Sequence, residues 1–115
     1  MSTPLGPYSP VMRAGDFLFV SGQVGMHEGK LADGTANQLR QLLANLRGLL
    51  EGEGARIDQV VKTTVFLRHL SDFAPMNEIY MEFFGGHRPA RSTIGVTELP
   101  GGALVEVEAV AYVGK

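Results

Sequence analysis

Arg91 follows Pro89-Ala90 and opens a stretch of strand-forming residues. Its planar guanidinium carries a fork of N–H donors that matches a carboxylate bidentately, which lysine does not offer. The plainer reading of such an arginine is a surface charge or an ion-pair partner. Glu106 and Glu108 alternate with Val105, Val107 and Ala109, so both carboxylates share one side of an otherwise apolar strand, where bare charges are costly to bury. Either that side is solvated at its edge, or one carboxylate works in a pocket at an oligomer interface.

Other chemistries find little support. The chain has no cysteine, which excludes disulfides, thiolate nucleophiles and cysteine-held metal. His27, His69 and His87 show no paired spacing and no acidic residue at a ligand-like interval, so each reads as a surface or loop residue and no metal is expected. Ser21 lies in Ser-Gly-Gln, without the elbow motif of a serine hydrolase, and reads as a strand-end serine satisfying backbone groups. None of the 15 glycines belongs to a dinucleotide or phosphate loop. No cofactor is implied.

The 115 residues, 44% apolar and 19% charged, describe one folded domain. With a formal net charge of -2 and no basic run, nucleic-acid binding is not expected. Met1 to Pro10 has neither the basic nor the apolar region of a signal peptide, and no apolar run nears the ~20 residues of a membrane span. A soluble cytoplasmic protein is the expectation.

The elements that must position these residues follow from pattern. Val11 to Ala14 and Phe17 to Ser21 flank Gly15-Asp16, a hairpin turn with glycine where a positive φ is needed. Gln23 to Gly34 is rich in turn residues and reads as a loop or second hairpin, with Lys30-Leu31 its plausible strand. Leu39, Leu42, Leu43, Leu46, Leu49 and Leu50 then form one helical stripe, ended by Gly52 and Gly54. Val60 to Leu67 is β-branched and aromatic and predicts a strand. A second helix starts after Ser71 or Asp72 as N-cap, places Phe73, Met76, Tyr80 and Phe83 on one side and stops at Gly85-Gly86. Strands over Arg91 to Val96 and Ala103 to Val113 close the chain. The order predicts an α+β fold, a mixed sheet with two helices on one face.

The strands are apolar on both sides: Leu18 and Val20 oppose Phe17 and Phe19; Val61, Val65 and Leu67 oppose Val60 and Phe66; Val105, Val107, Ala109 and Val113 oppose Leu104 and Val110. Two helices cover one face only, so the other is expected to be hidden by further copies of the chain.

Six blocks together resemble the Rid (reactive intermediate deaminase, RidA/YjgF) family in order and spacing: Gly6-Pro7-Tyr8-Ser9, Phe19 to Gln23, Val60 to Leu67, Asp72-Phe73 with Asn77 to Tyr80, Pro89 to Thr93, and Leu104 to Ala109. The resemblance covers essentially the whole chain. It implies a chorismate-mutase-like fold, a homotrimer with active sites between subunits, and cofactor-independent hydrolysis of 2-iminobutanoate and 2-iminopropanoate to 2-oxo acids and ammonia. It further implies that Arg91 binds the substrate carboxylate, that the backbone of Thr93 faces the imine, and that Glu106 with the carbonyl of Gly22 positions the attacking water. Tyr8, Ser21 and Asn77 are similar to pocket-lining positions of the family. The chain departs from it in a short loop from Gln23 to Thr35 and in Gly95, where a larger or charged residue is common. Two other functions remain open: a non-catalytic binder of small 2-oxo acids, and a ribonuclease or translation inhibitor, as some relatives are described. Against the last stand the net charge and the absence of paired histidines.

Overall fold

A computed structural model describes residues 5–114 of the chain; residues 1–4 of the Met1 to Pro10 segment lie outside them. The leucine stripe forms α1 (Gly34–Gly52), where Leu39, Leu42, Leu43, Leu46, Leu49 and Leu50 are all buried. Each contributes on the order of 1.5–3 kcal/mol relative to an exposed side chain. The helix lies on one face of a five-stranded sheet with strand order β1-β2-β7-β5-β6. The strands are β1 (Val11–Ala14), β2 (Phe17–Val24), β5 (Val60–Leu67), β6 (Ala90–Gly95) and β7 (Val105–Tyr112), and a short hairpin, β3 (Met26–His27) with β4 (Lys30–Leu31), stands apart. Only β5 and β6 run parallel, connected by α2 (Phe73–Phe84). This is the α+β arrangement expected, and the core consists of α1, α2 and the strand residues beneath them.

Gly15 has the positive φ (59°) that its turn requires, and the segment after Gln23 is indeed a second hairpin. Strand β5 has the predicted bounds. Strand β6 starts and ends one residue earlier than expected, and β7 is shorter by two residues at its start and one at its end.

Two irregularities redistribute residues between the sheet faces. On β5 the pairing passes from Val60↔Ala111 to Lys62↔Val110, so one extra residue sits on β5. Val60 is therefore buried under the helices, while Val61, expected beside Val65 and Leu67, is exposed on the opposite face. On β2 the pairing passes from Val20↔Ala109 to Gln23↔Val107, which leaves Ser21 and Gly22 opposite Glu108. Ser21 is thus not at a strand end: β2 continues through Val24.

Helix α2 also differs from expectation. Its buried residues are Met76, Ile79, Tyr80 and Phe84, whereas Phe73 is exposed and Phe83 only partly buried. Asp72 is the N-cap residue, but its side chain does not cap; Oδ2 accepts a hydrogen bond from the Thr35 hydroxyl at 2.7 Å, tying the starts of the two helices together. Buried Gln38 makes a comparable tie, donating to the carbonyl of Ala32 and accepting from the N–H of Leu104 at 2.8 Å.

Two glycines should respond oppositely to alanine. Gly48 lies inside α1 with open space where a Cβ would stand, and Gly48→Ala should raise stability by about 0.5–1 kcal/mol. A Cβ on Gly25 would collide with the backbone of Gln38, so Gly25→Ala must push β2 away from α1 and lower stability. Urea unfolding of both variants checks the opposite signs.

Candidate functional site

Parallel pairing with β5 sets Arg91 beside Thr63 and Thr93 beside Val65. Because Thr63 and Val65 are fully buried, their neighbours Arg91 and Thr93 point to the helix face. Here α2 presents Phe73, Met76, Asn77 and Tyr80 at i, i+3, i+4 and i+7, one helix face. The guanidinium carbon lies 4.8 Å from the Tyr80 ring centre and 5.6 Å from that of Phe73, and Nη1 is 3.8 Å from the Met76 sulfur. No carboxylate pairs with Arg91: the ion pairs among the described residues are His27–Glu28 and Arg56–Asp58. A half-buried cation is held by ring faces and a weak thioether acceptor, with its strong donors uncommitted.

Tyr80 and Thr63 share a buried hydrogen bond at 2.7 Å. Burial pushes the Tyr80 phenol up, partly offset by that bond and by the charges of Arg91 and Arg88, so the ring stays neutral at physiological pH. Asn77 Oδ1 is buried without a hydrogen-bond donor among the described residues.

Glu106 pairs with Phe66 and Val24, out of step with buried Val65 and Leu67, and so points to the face without helices. It is half-buried, its carboxylate occupying the space where any side chain at Gly22 would stand. Burial, and then the charge of Glu108, push its carboxyl up. Ser21 lies beside Gly22, its hydroxyl donating to the carbonyl of Ser9 at 2.7 Å and its N–H to that of Pro10 at 2.9 Å. These bonds dock the N-terminal segment against β2. Tyr8, in this segment, is exposed, and its hydroxyl accepts the N–H of Leu5. A concavity of about 280 Å³ on the open face is lined by Ser21, Lys62, Thr64, Glu108 and apolar neighbours. Lys62 donates to the Ser92 hydroxyl at 2.8 Å.

The expected site residues therefore form two groups. Arg91, Thr93 and Asn77 gather between β6 and α2; Ser21, Gly22 and Glu106 gather at the β2 irregularity on the opposite face, with Tyr8 in the segment Ser21 holds. Sequence reasoning missed the ring platform under Arg91. The sequence put Phe73, Met76 and Tyr80 on one side of the helix, and that spacing just ahead of β6 carried the signal. His87 lies half-buried in the loop after α2, its ring nitrogen 2.7 Å from the carbonyl of Val60. Among the described residues no group of three His, Cys, Asp or Glu side chains is placed to hold a metal, and no helix is long and apolar enough to cross a membrane. A Cβ on Gly95 would come within 2.8 Å of the Leu70 side chain, so a larger residue there would have to displace Leu70.

A parallel β5-α2-β6 unit in a mixed sheet carries an uncommitted arginine on its edge strand and, on the other face, a raised carboxyl over a glycine. Comparison with known proteins supplies the family. Residues 1–113 match the family model described as Endoribonuclease L-PSP, and the chain belongs to that family, which includes the Rid (RidA/YjgF) proteins. It is 44% identical to a RutC family protein of Pyrococcus horikoshii over 95% of this chain and 89% of the relative. It is 40% identical to the 2-iminobutanoate/2-iminopropanoate deaminase of Homo sapiens, over 96% of this chain and 82% of the relative. Among solved structures, RidA from an Antarctic Psychrobacter superimposes with a TM-score of 0.95 at 34% identity, covering 96% and 92% of the two chains. The TdcF protein of E. coli with bound serine superimposes with a TM-score of 0.92 at 33% identity, covering 96% and 91%.

The raised carboxyl of Glu106 has a consequence for stability. A carboxylate whose folded pKa lies above its unfolded value favours the fold in its neutral form, so its ionisation destabilises as pH rises from the ordinary value through the raised one. Glu106→Gln should therefore be at least as heat-stable as the parent at pH 7, and the difference should vanish toward pH 4. Paired thermal melts across that range check the sign.

Proposed function

We propose that the protein hydrolyses reactive 2-imino acids, such as 2-iminobutanoate and 2-iminopropanoate, to 2-oxo acids and ammonia, without a cofactor. The observation that carries this reading is Arg91: a half-buried guanidinium with no carboxylate of the protein to neutralise it is built to receive one from a ligand. A family relative with serine bound and several named as imine deaminases support a small amino-acid-like ligand.

In the proposed reaction Arg91 holds the substrate carboxylate and the backbone at Thr93 faces the imine nitrogen. Glu106 and the carbonyl of Gly22 position a water, with Tyr8, Ser21 and Asn77 lining the pocket. The protonated imine is already electrophilic, so orientation is the main task. Water adds its oxygen to C2 of the protonated imine and gives a proton to the Glu106 carboxylate, which passes it to the nitrogen of the carbinolamine; as the C–N bond breaks and ammonia leaves, the hydroxyl proton returns to Glu106 and from there to ammonia, so that ammonium and the 2-oxo acid remain. A carboxyl raised by burial is, once ionised, a better proton acceptor than an ordinary one.

This reading requires a second copy of the chain. The arginine group and the glutamate group lie on opposite sheet faces, so a complete site is assembled where one subunit's edge strand meets the open face of another. Met12, Phe17, Phe19, Val61, Ile94 and Tyr112 are exposed, and an apolar surface of this kind is more than a soluble monomer ordinarily leaves uncovered. A homotrimer with three such clefts is the proposed assembly. Sedimentation velocity at micromolar concentration should show a trimer, and a stable monomer would refute it.

The catalytic test is Arg91. Loss of a hydrogen-bonded charge pair in a partly buried site costs about 2–5 kcal/mol, so Arg91→Ala should lower kcat/KM by roughly thirty-fold to a few thousand-fold. Arg91→Lys, which keeps the charge without the fork, should lose less. The assay generates 2-iminobutanoate with an amino acid oxidase in competition with semicarbazide. Equal clearance by a correctly assembled Arg91→Ala protein would overturn the reading, whereas Arg91-dependent binding of 2-oxobutanoate without turnover would identify a binder.

A further inference from the structure

Arg91 ends a long side chain that must be held at one angle if its fork is to meet a carboxylate squarely. An unconstrained arginine has roughly 2 kcal/mol of rotamer entropy to lose on being so held. Salt bridges are the usual restraint, and among the described residues Arg91 forms none. What the guanidinium does meet is the face of Tyr80, at 4.8 Å.

That ring is itself immobilised. Tyr80 is buried, packs against Phe84 at 4.8 Å between ring centres, and binds Thr63 through its hydroxyl at 2.7 Å. Thr63 is the residue paired with Arg91 across the β5-β6 ladder. A closed circuit results: from the backbone of Arg91 across the ladder to Thr63, through its hydroxyl to the Tyr80 oxygen, along the ring, and back to the guanidinium of Arg91. Both ends of the arginine are referred to the same point of the sheet. The platform attracts the cation through its quadrupole and brings no negative charge that would compete with a ligand. Desolvation of the phenol preserves that neutrality.

We propose that Tyr80, anchored by Thr63, is the positioning residue that preorganises Arg91 for the substrate carboxylate. The proposal rests on the reading of Arg91 as the carboxylate site. It assigns Tyr80 and Thr63 no contact with the reacting atoms; their effect passes through the guanidinium.

The probe is 2-oxobutanoate, titrated by calorimetry into the assembled protein and into Tyr80→Phe, Thr63→Val and Tyr80→Leu, each alone and combined with Arg91→Ala. Tyr80→Phe and Thr63→Val keep the packing volume but release the anchor, and each should weaken binding about 2- to 10-fold. Tyr80→Leu removes the platform and should weaken it about 10- to 30-fold, in line with a partly desolvated cation–π contact. In the Arg91→Ala background all three should change affinity by less than about two-fold, the signature of action through Arg91. In turnover the loss should fall on KM with kcat nearly unchanged, and ¹⁵N relaxation at Arg91 Nε should show increased motion in Thr63→Val. If the three substitutions weaken binding as much without Arg91 as with it, or if Thr63→Val leaves affinity and Nε motion unchanged, the positioning role is wrong while the Arg91 reading stands. If Arg91→Ala alone binds 2-oxobutanoate as the parent does, the Arg91 reading falls and the proposal with it. Should Tyr80→Leu fail to assemble, the two volume-conserving variants decide.

Discussion

Burial of the α1 leucine stripe against the sheet commits one face of every strand to the helices, and the rest of the molecule follows from that commitment. Side chains alternate across a pleated sheet, so once Thr63, Val65, Val105 and Val107 are under the helices, Arg91 must point inward and Glu106 outward. The same alternation leaves Phe17, Phe19, Ile94 and Tyr112 without cover. Separation of the two charged groups and exposure of an apolar face are one fact seen twice, and the proposed assembly answers both.

Charge is handled differently in the two groups. Arg91 is kept from water by Tyr80 and Phe73 and is compensated by ring faces instead of a carboxylate. Glu106 is kept from water by β2 and made still less willing to ionise by Glu108. Under the proposed function each would be relieved during the reaction, the guanidinium by the substrate carboxylate and Glu106 by a proton from the attacking water. Set on opposite faces, the two groups do not neutralise each other within one chain.

Much of this was legible in residue order. The leucine period identified α1, the β-branched run identified β5 to the residue, and the turn glycines placed the hairpins. Residue type and position made Arg91 and Glu106 candidates with plainer readings beside them, and only the resemblance to the Rid family gave them roles. Periodicity alone failed at the irregularities. Strict alternation put Val61 with Val65, but one extra residue on β5 reversed it; β2 was ended at Ser21, where instead a bulge carries Ser21 and Gly22 past Glu108. Helical spacing put Phe73 on the same side as Met76 and Tyr80, but unlike them it is exposed, its ring beside Arg91.

The sequence by itself determined the class of fold, the span of most elements and the residues able to do chemistry, because these depend on local period and side-chain type. Only the tertiary structure decided which of those residues meet. That Arg91 rests on Tyr80, that Tyr80 is anchored to the strand neighbour of Arg91, and that Glu106 lies over Gly22 on the other face are consequences of register and strand order. Register is set by long-range pairing between strands far apart in the chain, where a single extra residue moves every following side chain to the opposite face.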